Sequence, residues 1–331
     1  MSDFDQQSMR EAVLVAACAQ HTCRPNPWVG ALIVSPTGQR FTGFTQPVGQ
    51  AHAERVALQS AAREASGATM YVTLEPCNHF GRTPPCTDAI IAAGISRVVV
   101  GVADPDERVA GTGIARLREA GIRVDIGVEE HLVREQLSQY LHHRRTRRPY
   151  VLLKLAMTID GYIAAKSGNG GFITGELARQ RVHELRAASD AILVGAGTVR
   201  ADDPLLTVRG VAGNSPRRIV LGRAPADARV HPCTEWHGSL DELLDQLGAN
   251  DVMQLMVEGG AKVAASFHAA GLIDRYVFHI APAVMGGGDA VAAFAGDTAA
   301  TLSDIWRGQL VSTQRLGDDL EVIIEPLRSK Q

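Results

Sequence analysis

The chain has 331 residues, which is long for one compact core and comfortable for two domains. About 45% of the residues are hydrophobic and 21% are charged, so both halves are expected to bury a core. The formal net charge of -3 excludes the basic excess of a typical nucleic-acid-binding protein and the acidic excess of a disordered chain.

Neither a membrane span nor a secretory signal is predicted. No apolar run approaches the roughly 18 residues that a span requires, and residues 1–7 are polar and acidic where a signal would be basic and then apolar. We therefore expect a cytoplasmic protein with no membrane or nucleic-acid partner. Its five cysteines are few and odd in number, which favours metal ligands or free thiols over a disulfide scaffold.

Helical and strand patterns alternate through the first half of the chain. The apolar spacing predicts, in order, helix 8–21, strand 30–35, helix 51–65, strand 68–74, helix 85–93, strand 97–102, helix 113–120 and strand 123–126. Such alternation is typical of an α/β fold with a covered, largely parallel sheet.

A run of basic residues, 142–149, separates the two halves and ends at Pro149. It has no apolar period, which predicts a solvated linker; binding of a polyanion is the alternative. We place the boundary here, between domains 1–146 and 147–331.

The second half begins a new sheet. Its pattern predicts strand 150–156, helix 175–188, strands 191–194, 218–221 and 254–258, helix 261–270, and strands 276–281 and 321–325.

One histidine and two cysteines of the first half are candidate zinc ligands. His52 opens a predicted helix, Cys77 follows a predicted strand, and Cys86 opens another helix. Three protein ligands leave a fourth position for water, as in a catalytic zinc site, and zinc lowers the pKa of that water towards neutrality. Glu54, two residues after His52, is placed to carry protons between water and a leaving amine without binding the metal.

The cysteine spacing departs from the H-x-E and P-C-x-x-C signature of zinc nucleobase deaminases, because eight residues separate Cys77 from Cys86. A structural zinc site with a fourth ligand from Cys18 or Cys23 is an alternative, although such sites usually pair their cysteines at shorter spacing. Cys18 and Cys23 are interpreted as buried or incidental thiols. Cys233 is assigned no role.

The long cysteine spacing resembles that of the bifunctional riboflavin biosynthesis deaminase–reductase family. The resemblance extends over almost the whole chain and involves both halves. The segments that carry it are 24–30 (RPNPWVG), 52–54 (HAE), 76–86 (PCNHFGRTPPC), 154–161 (KLAMTIDG) and 201–209 (ADDPLLTVR).

For the first half, the resemblance implies a cytidine-deaminase-like α/β/α domain with one zinc ion per chain. The implied substrate is a phosphorylated diaminopyrimidinone ribosylamine, which loses its 2-amino group to water. Asn26, His79 and Arg82 are implied to contact the pyrimidine or its phosphate. Two departures bear on substrate contacts rather than on the metal: Thr45 stands where the family usually has histidine, and Arg55-Val56 where it has Val-His.

The second half lacks the G-x-G-x-x-G pattern of a Rossmann domain, because Arg200 occupies the last position of the nearest match. Gly259 and Gly260 join a predicted strand to a predicted helix, which suits either a phosphate cradle or a plain tight turn. Lys154 and Glu258 interrupt apolar strands. Because buried charges are costly unless they are paired or functional, these two are candidate site residues.

For this half, the resemblance implies a dihydrofolate-reductase-like α/β domain that uses NADPH to reduce the ribosylamino to the ribitylamino group, in a homo-oligomer (dimer or tetramer). The residues implied along the cofactor are Ala156, Phe172, Thr198, Asp202, Gly260, Ala261, Lys262, Val263, Ala264, Ala265 and Ser266. The residues implied around the substrate are Lys154, Gly170, Arg186, Leu206, Arg209 and Glu258. Phe172 either covers the nicotinamide or packs in the core.

Two other functions remain open from the sequence. One is a zinc deaminase that acts on a tRNA adenosine or a free nucleotide, although the near-neutral charge disfavours an RNA substrate. The other is a non-catalytic protein whose zinc only stabilises the N-terminal fold.

Overall fold

The computed structural model describes residues 2–81, 84–106, 109–166, 171–296 and 299–327. The chain divides into two compact units, Met1–Arg147 and Arg148–Gln331, each with its own hydrophobic core. Among the described residues, no helix combines the length and the apolar character needed to cross a membrane.

The first unit is an α/β/α sandwich built on one mixed sheet. Its strands are β1 Gly30–Val34, β2 Arg40–Phe44, β3 Thr69–Leu74, β4 Arg97–Val102 and β5 Arg123–Ile126. Its helices are α1 Asp3–Ala16, α2 Ala53–Ala61, α3 Cys86–Ala92, α4 Thr112–Glu119, α5 Glu130–Gln136 and α6 Ser138–Thr146.

The sheet has the order β2-β1-β3-β4-β5, with α1 and α5 in contact with each other and α2, α3 and α4 forming a second row. Val98, Val99 and Val100 of β4 are all buried, because a strand covered on both faces has no solvent side. The pairs β3–β4 and β4–β5 are parallel. The prediction of a largely parallel sheet was wrong for β1, which pairs antiparallel with β2 and β3.

Two predicted boundaries of this unit were also wrong. The first helix begins at Asp3 rather than at Ser8, because Ser2 and Asp5 form a reciprocal capping box. The basic run predicted as a linker contains the last turn of α6. Its residue His143 is buried, as is Leu141 two residues earlier, so packing overrides the exposed, charged character of the run.

A partly buried ion pair, in which the carboxylate is the buried partner, ties α1 to the sheet. The Arg97 guanidinium donates to Asp5 Oδ1 at 2.7 Å and to Asp5 Oδ2 at 3.2 Å, and Tyr71 Oη donates to Asp5 Oδ1 at 2.8 Å. Arg97→Met is expected to lower the free energy of unfolding of the first unit by about 3 kcal/mol, because a buried carboxylate then loses its counter-charge. Urea unfolding followed by circular dichroism measures this. The matched control is Arg123→Met, since Arg123 is 70% exposed.

The same pair has a defined pH dependence. The Arg97 guanidinium holds the pKa of the Asp5 carboxyl well below its ordinary value of 3.8. A carboxyl with a lowered folded-state pKa stabilises the fold above that ordinary value and loses this contribution as the pH falls through the folded-state pKa. The stability difference between wild type and Arg97→Met should therefore be full at pH 7 and shrink below pH 3.8. An unchanged difference at low pH would contradict this account of the pair.

The second unit is built on one long sheet. Its strands are β6 Tyr150–Thr158, β7 Tyr162–Ala164, β8 Ala191–Gly195, β9 Arg217–Leu221, β10 Thr234–Trp236, β11 Gln254–Val257, β12 Arg275–Ala281, β13 Val291–Ala292, β14 Gly308–Leu316 and β15 Asp319–Pro326. Its helices are α7 Glu176–Ala187, α8 Ala196–Asp202, α9 Leu240–Ala249 and α10 Ala261–Ala269.

The main sheet has the order β10-β9-β8-β11-β6-β12-β15-β14, and β7 pairs with β13 separately. It is parallel from β10 to β12 and antiparallel from β12 to β14. Leu152 and Met256 pack with Val182 of α7, whereas Leu153 clusters with Phe267 of α10. Successive residues thus face opposite layers, which explains the continuous apolar runs of the central strands.

Candidate metal centre and reductase site

Three candidate zinc ligands of the first unit come together. His52 is the N-cap residue of α2, Cys86 is the first residue of α3, and Cys77 lies in the loop after β3. His52 Nδ1 lies 3.5 Å from Cys77 Sγ and 3.4 Å from Cys86 Sγ. These three ligand atoms are within 4.8 Å of one another, and among the described residues they form the group identified as able to hold a metal ion.

The donor set fits zinc in both chemistry and spacing. One imidazole and two thiolates are ligands that zinc prefers, and tetrahedral Zn–N and Zn–S bonds of about 2.05 and 2.3 Å place nitrogen and sulfur about 3.6 Å apart. The observed separations of 3.5 and 3.4 Å agree with that edge. Cys18 and Cys23 are not members of the described group, which removes the support for a structural site that uses either as a fourth ligand.

The ligand cysteines differ in their readiness to lose a proton. The pKa of the Cys77 thiol is lowered to about 4, chiefly by a hydrogen bond from the Cys86 thiol and also by His52, which together outweigh the opposing effect of burial. The Cys86 backbone N–H, at the start of α3, also points to Cys77 Sγ at 3.4 Å. The pKa of the Cys86 thiol is raised well above its usual value, first through its hydrogen bond to Cys77 and then through burial. One thiolate is therefore already favoured at this site, which is the form that a metal requires.

Glu54 lies in the first turn of α2 beside the ligands, and it is only 4% exposed. Burial raises the pKa of its carboxyl, while the neighbouring His52 lowers it. Glu54 is not a member of the group of potential ligands. A buried carboxyl with a raised pKa, next to a metal site but outside its ligand set, suits a proton carrier.

The residues that depart from the family pattern have structural partners. Thr45 is buried, and its hydroxyl accepts a hydrogen bond from the Val29 backbone N–H at 3.0 Å. Arg55 Nη2 donates to the carbonyl of Pro85, the residue before Cys86, at 3.2 Å. Thr45 thus ties the end of β2 to the chain before β1, and Arg55 ties α2 to the start of α3.

Two of the three residues predicted to contact the pyrimidine or its phosphate are among the residues that the structure describes. His79 follows Cys77 by two residues, and its Nδ1 is buried without a hydrogen-bond partner among the described residues. Asn26 lies in the loop before β1, where its carbonyl accepts from Cys23 Sγ at 3.3 Å. Arg82 lies outside the described residues.

Sequence reasoning missed two residues of the loop that carries Cys77, residues 75–78, which we call the metal loop. The Glu75 carboxylate accepts backbone N–H groups at the start of α4, and the Asn78 side chain contacts Thr87 and Thr112. The signal for Glu75 in the sequence was a carboxylate directly after an apolar strand and two residues before a candidate ligand. Its partners lie more than 28 residues away in the sequence, so local pattern could not name them.

In the second unit, three charged candidates form one buried cluster. Arg186, in the last turn of α7, donates through Nε and Nη2 to the two carboxylate oxygens of Glu258, each at 2.7 Å. Burial raises the pKa of Glu258, but Arg186 outweighs burial and lowers it. For Lys154 on β6, burial lowers the pKa and Glu258 opposes this effect. A lysine with a lowered pKa beside a paired carboxylate is characteristic of a functional site.

The loop after α8 reaches the same cluster. Arg186 Nη1 donates to the Thr207 carbonyl at 3.2 Å, and Arg209 Nη1 donates to Thr207 Oγ1 at 2.8 Å. Leu206 is buried in this loop with a φ of 53°. The structure therefore brings five of the six implied substrate residues into one region; Gly170 lies outside the described residues.

The implied cofactor residues lie on several elements. Ala156 is on β6, Thr198 and Asp202 are on α8, and residues 260–266 are the N-cap and first six residues of α10. A Cβ on Gly260 would lie 3.3 Å from Thr198 Oγ1, so α8 and the start of α10 adjoin. Phe172 is 81% exposed and stacks under the Arg179 guanidinium at 4.6 Å. The alternative that Phe172 packs in the core was wrong.

Comparison with known proteins gives a family match for each half of the chain. The cytidine and deoxycytidylate deaminase zinc-binding region matches residues 2–102, and the RibD C-terminal domain matches residues 149–322. The riboflavin biosynthesis protein RibD of Aquifex aeolicus is 37% identical over 355 residues, covering 98% of this chain and 99% of that protein. RibD of Mycobacterium tuberculosis (strain CDC 1551 / Oshkosh) is 41% identical over 310 residues, covering 90% and 91%.

Solved structures are similar over nearly the full length. Acinetobacter baumannii RibD, form 1, matches with a TM-score of 0.92 and 35% identity, over 98% of this chain and 99% of that one. The diaminohydroxyphosphoribosylaminopyrimidine deaminase/5-amino-6-(5-phosphoribosylamino)uracil reductase of Thermotoga maritima matches with a TM-score of 0.86 and 33% identity, over 97% and 98%. These matches confirm the predicted α/β fold class, and the chain belongs to the RibD family of bifunctional deaminase–reductases of riboflavin biosynthesis.

Proposed function

We propose that the first domain, residues 1–146, hydrolytically deaminates 2,5-diamino-6-(5-phosphoribosylamino)pyrimidin-4(3H)-one. The second domain, residues 147–331, then reduces the ribosylamino group of the product to a ribitylamino group with NADPH. The observation that carries the proposal is the meeting of His52, Cys77 and Cys86 beside the buried carboxyl of Glu54. A deaminase for tRNA or free nucleotides would leave the match over residues 149–322 without a role.

In the first reaction, His52, Cys77 and Cys86 hold one zinc ion per chain. When bound, zinc is a Lewis acid that makes a hydroxide available near neutral pH. Glu54 takes a proton from the attacking water and delivers it to the departing amino group, so that water and the C–NH2 group become a carbonyl and ammonia. Asn26, His79 and Arg82 orient the pyrimidine and its phosphate.

In the second reaction, the cofactor supplies the hydride and the protein supplies orientation and a proton. Lys154 protonates the ribose ring oxygen as the C1′–O4′ bond opens, because burial has lowered its pKa. The negative charge of Glu258 acts on the Lys154 ammonium, and Arg186 holds Glu258 in place. The exposed Arg209 binds the substrate phosphate, since a guanidinium matches a phosphate bidentately. Leu206 and Gly170 border the substrate.

The cofactor lies along Ala156, Phe172, Thr198 and Asp202. The backbone amides of residues 260–266, at the start of α10, bind its phosphates, because a helix N-terminus favours negative charge. The exposed Phe172 ring covers the nicotinamide.

We also propose a homo-oligomer, a dimer or a tetramer, in the cytoplasm. β14 is an edge strand of the main sheet, and its residue Leu310 is 58% exposed. An open strand edge with exposed apolar side chains favours pairing with another chain. All five cysteines are free thiols, which suits a reducing compartment.

Metal removal tests the division of labour between the domains. Dialysis against a chelator should abolish ammonia release from the diaminopyrimidinone, because the first reaction needs the metal. The NADPH-dependent step should remain when the deaminated intermediate is supplied directly. Metal analysis should find about one zinc per chain before dialysis and none after it, and added zinc should restore deamination. Full deamination by the zinc-free protein, or release of ammonia from tRNA or nucleosides in preference to the pyrimidinone, would contradict the proposal.

A further inference from the structure

Cys77 differs from the other two candidate ligands in its structural support. His52 caps α2 and Cys86 begins α3, so regular helices fix both residues. Cys77 lies in the loop after β3. A loop residue cannot hold a ligand atom as precisely as a residue on a rigid element unless further contacts restrain it.

We propose that Glu75 is a positioning residue that fixes the backbone on the N-terminal side of Cys77 by binding the start of α4. The inference rests on the proposed metal centre, and it assigns to the loop an anchor outside the ligand set. Glu75 touches neither the metal ligands nor the substrate residues in any described hydrogen bond, so it acts through Cys77.

The Glu75 carboxylate accepts four backbone N–H groups. Oε1 accepts from Gly113 at 3.0 Å and from Ile114 at 3.1 Å, while Oε2 accepts from Gly111 at 3.1 Å and from Asp104 at 3.2 Å. The side chain is buried, at 4% exposure. Three of these donors belong to the N-cap and first turn of α4, whose N–H groups have no partner within the helix. Both carboxylate oxygens are thus fixed in position and direction.

The contact continues to the next residue through a glycine. A Cβ on Gly113 would lie 2.0 Å from the Pro76 carbonyl oxygen, which no real side chain tolerates. The backbone of α4 therefore lies directly against Pro76, between Glu75 and Cys77. Glycine at position 113 permits this approach, because it has no Cβ.

The chain is also held on the C-terminal side of Cys77. The Cys77 carbonyl accepts from the Thr87 backbone N–H at 3.2 Å. Asn78 Oδ1 accepts from Thr87 Oγ1 at 2.9 Å, and Asn78 Nδ2 donates to the Thr112 carbonyl at 3.4 Å. Residues 75–78 thus join α3, which carries Cys86, to α4. On the N-terminal side, the Glu75 backbone N–H donates to the Val102 carbonyl of β4 at 3.0 Å, and the Glu75 carboxylate and the Gly113 contact join this end of the loop to α4.

Glu75→Gln tests the proposal in the full-length enzyme. Glutamine has nearly the same shape as glutamate. Its amide NH2 group, however, cannot accept the hydrogen bonds that two backbone N–H groups donate to one oxygen of the carboxylate. Mutation of residues that support metal ligands from outside the ligand set typically lowers metal affinity by about 10- to 100-fold. We expect the affinity for zinc and for cobalt(II) to fall by that factor in Glu75→Gln. Competition with a chelator measures both affinities. At saturating cobalt, we expect an altered visible absorption spectrum and lower deaminase turnover per bound metal.

Asp5→Asn is the matched control. Asp5 is a carboxylate of the same unit that is also buried and hydrogen-bonded, but its partners are Arg97, Tyr71 and Ser2 rather than the metal loop. This variant should lower the unfolding temperature while leaving the cobalt spectrum and the metal affinity of folded protein unchanged. Reductase turnover of both variants reports on the second unit and should equal that of wild type.

The outcomes separate three cases. Weaker binding and an altered spectrum in Glu75→Gln, with a normal spectrum in Asp5→Asn, support the proposal. A normal spectrum and normal affinity in Glu75→Gln, whatever its unfolding temperature, overturn it and leave Glu75 a purely stabilising residue. If Glu75→Gln does not fold, Glu75→Asp is judged by the same two readouts. A Cys77→Ser variant that binds zinc and cobalt(II) as tightly as wild type would instead refute the proposed metal centre itself.

Discussion

Glu54→Gln is expected to abolish deamination and to leave zinc content, folding and reductase turnover intact. The amide keeps the size of the buried side chain but cannot carry a proton, and a positioned proton carrier contributes about 10²- to 10⁴-fold to rate. Because Glu54 is outside the group of potential metal ligands, its replacement should not release zinc. Ammonia release under saturating substrate, with metal analysis of the same sample, measures both effects.

Glu119→Gln is the control for this loss, since Glu119 is an exposed carboxylate of the same unit at the end of α4. It should behave as wild type in both activities. Deamination by Glu54→Gln within a few-fold of the wild-type rate would refute the proton-carrier role. A loss of zinc together with activity would show instead that Glu54 supports the ligands.

The second large effect is expected for Arg186→Met. This change removes the partner of Glu258, and the two side chains are only 11% and 14% exposed. Breaking a buried pair by removing one partner typically costs about 3–5 kcal/mol, so the second unit should unfold at much lower denaturant concentration. Reductase turnover should also fall by at least tenfold, because Glu258 then no longer holds a fixed position beside Lys154. Urea unfolding and NADPH oxidation measure the two effects.

Two companion variants identify the cause of that loss. Arg186→Lys keeps the charge but not the planar fork, so it should lie between wild type and Arg186→Met in stability. Arg186→Met combined with Glu258→Gln removes both charges and should regain stability without regaining reductase activity. Arg315→Met, at a side chain that is 78% exposed, is the control. A single variant as stable as the double variant would refute the cost assigned to an unpaired Glu258.

Elements with strong apolar periodicity were predictable from the sequence. The predicted bounds of β4 and β5 are confirmed, because continuous or alternating apolar residues bounded by turns define them. β14 was missed because none of its nine residues is buried and six are exposed, so it has no apolar face to reveal it. α9 was missed although Ser239 and Glu242 form a capping box at its start. That signal was present in the sequence and was overlooked.

The metal centre was the most predictable part of the candidate site. His52, Cys77 and Cys86 are recognisable because few residue types bind zinc. In addition, Glu54 follows His52 in an H-x-E pattern, and Pro76 precedes Cys77. The pairing of Arg186 with Glu258 was not predictable, since it joins a helix and a strand end 72 residues apart. The same holds for Glu75, whose role exists only after α4 has packed against Pro76.

Leu206 illustrates a conflict between backbone and side chain. Its φ of 53° lies in the left-handed region, where any residue other than glycine is disfavoured by about 1 kcal/mol or more. Its side chain nevertheless packs with Ile192, Val194 and Val199 in a buried cluster. Glycine at position 206 would relieve the backbone strain but leave a void in the cluster. A larger residue would keep the strained φ angle and crowd the cluster. Replacement of Leu206 by a smaller or by a larger residue is therefore expected to lower the stability of the second unit, in the first case through lost packing and in the second through crowding.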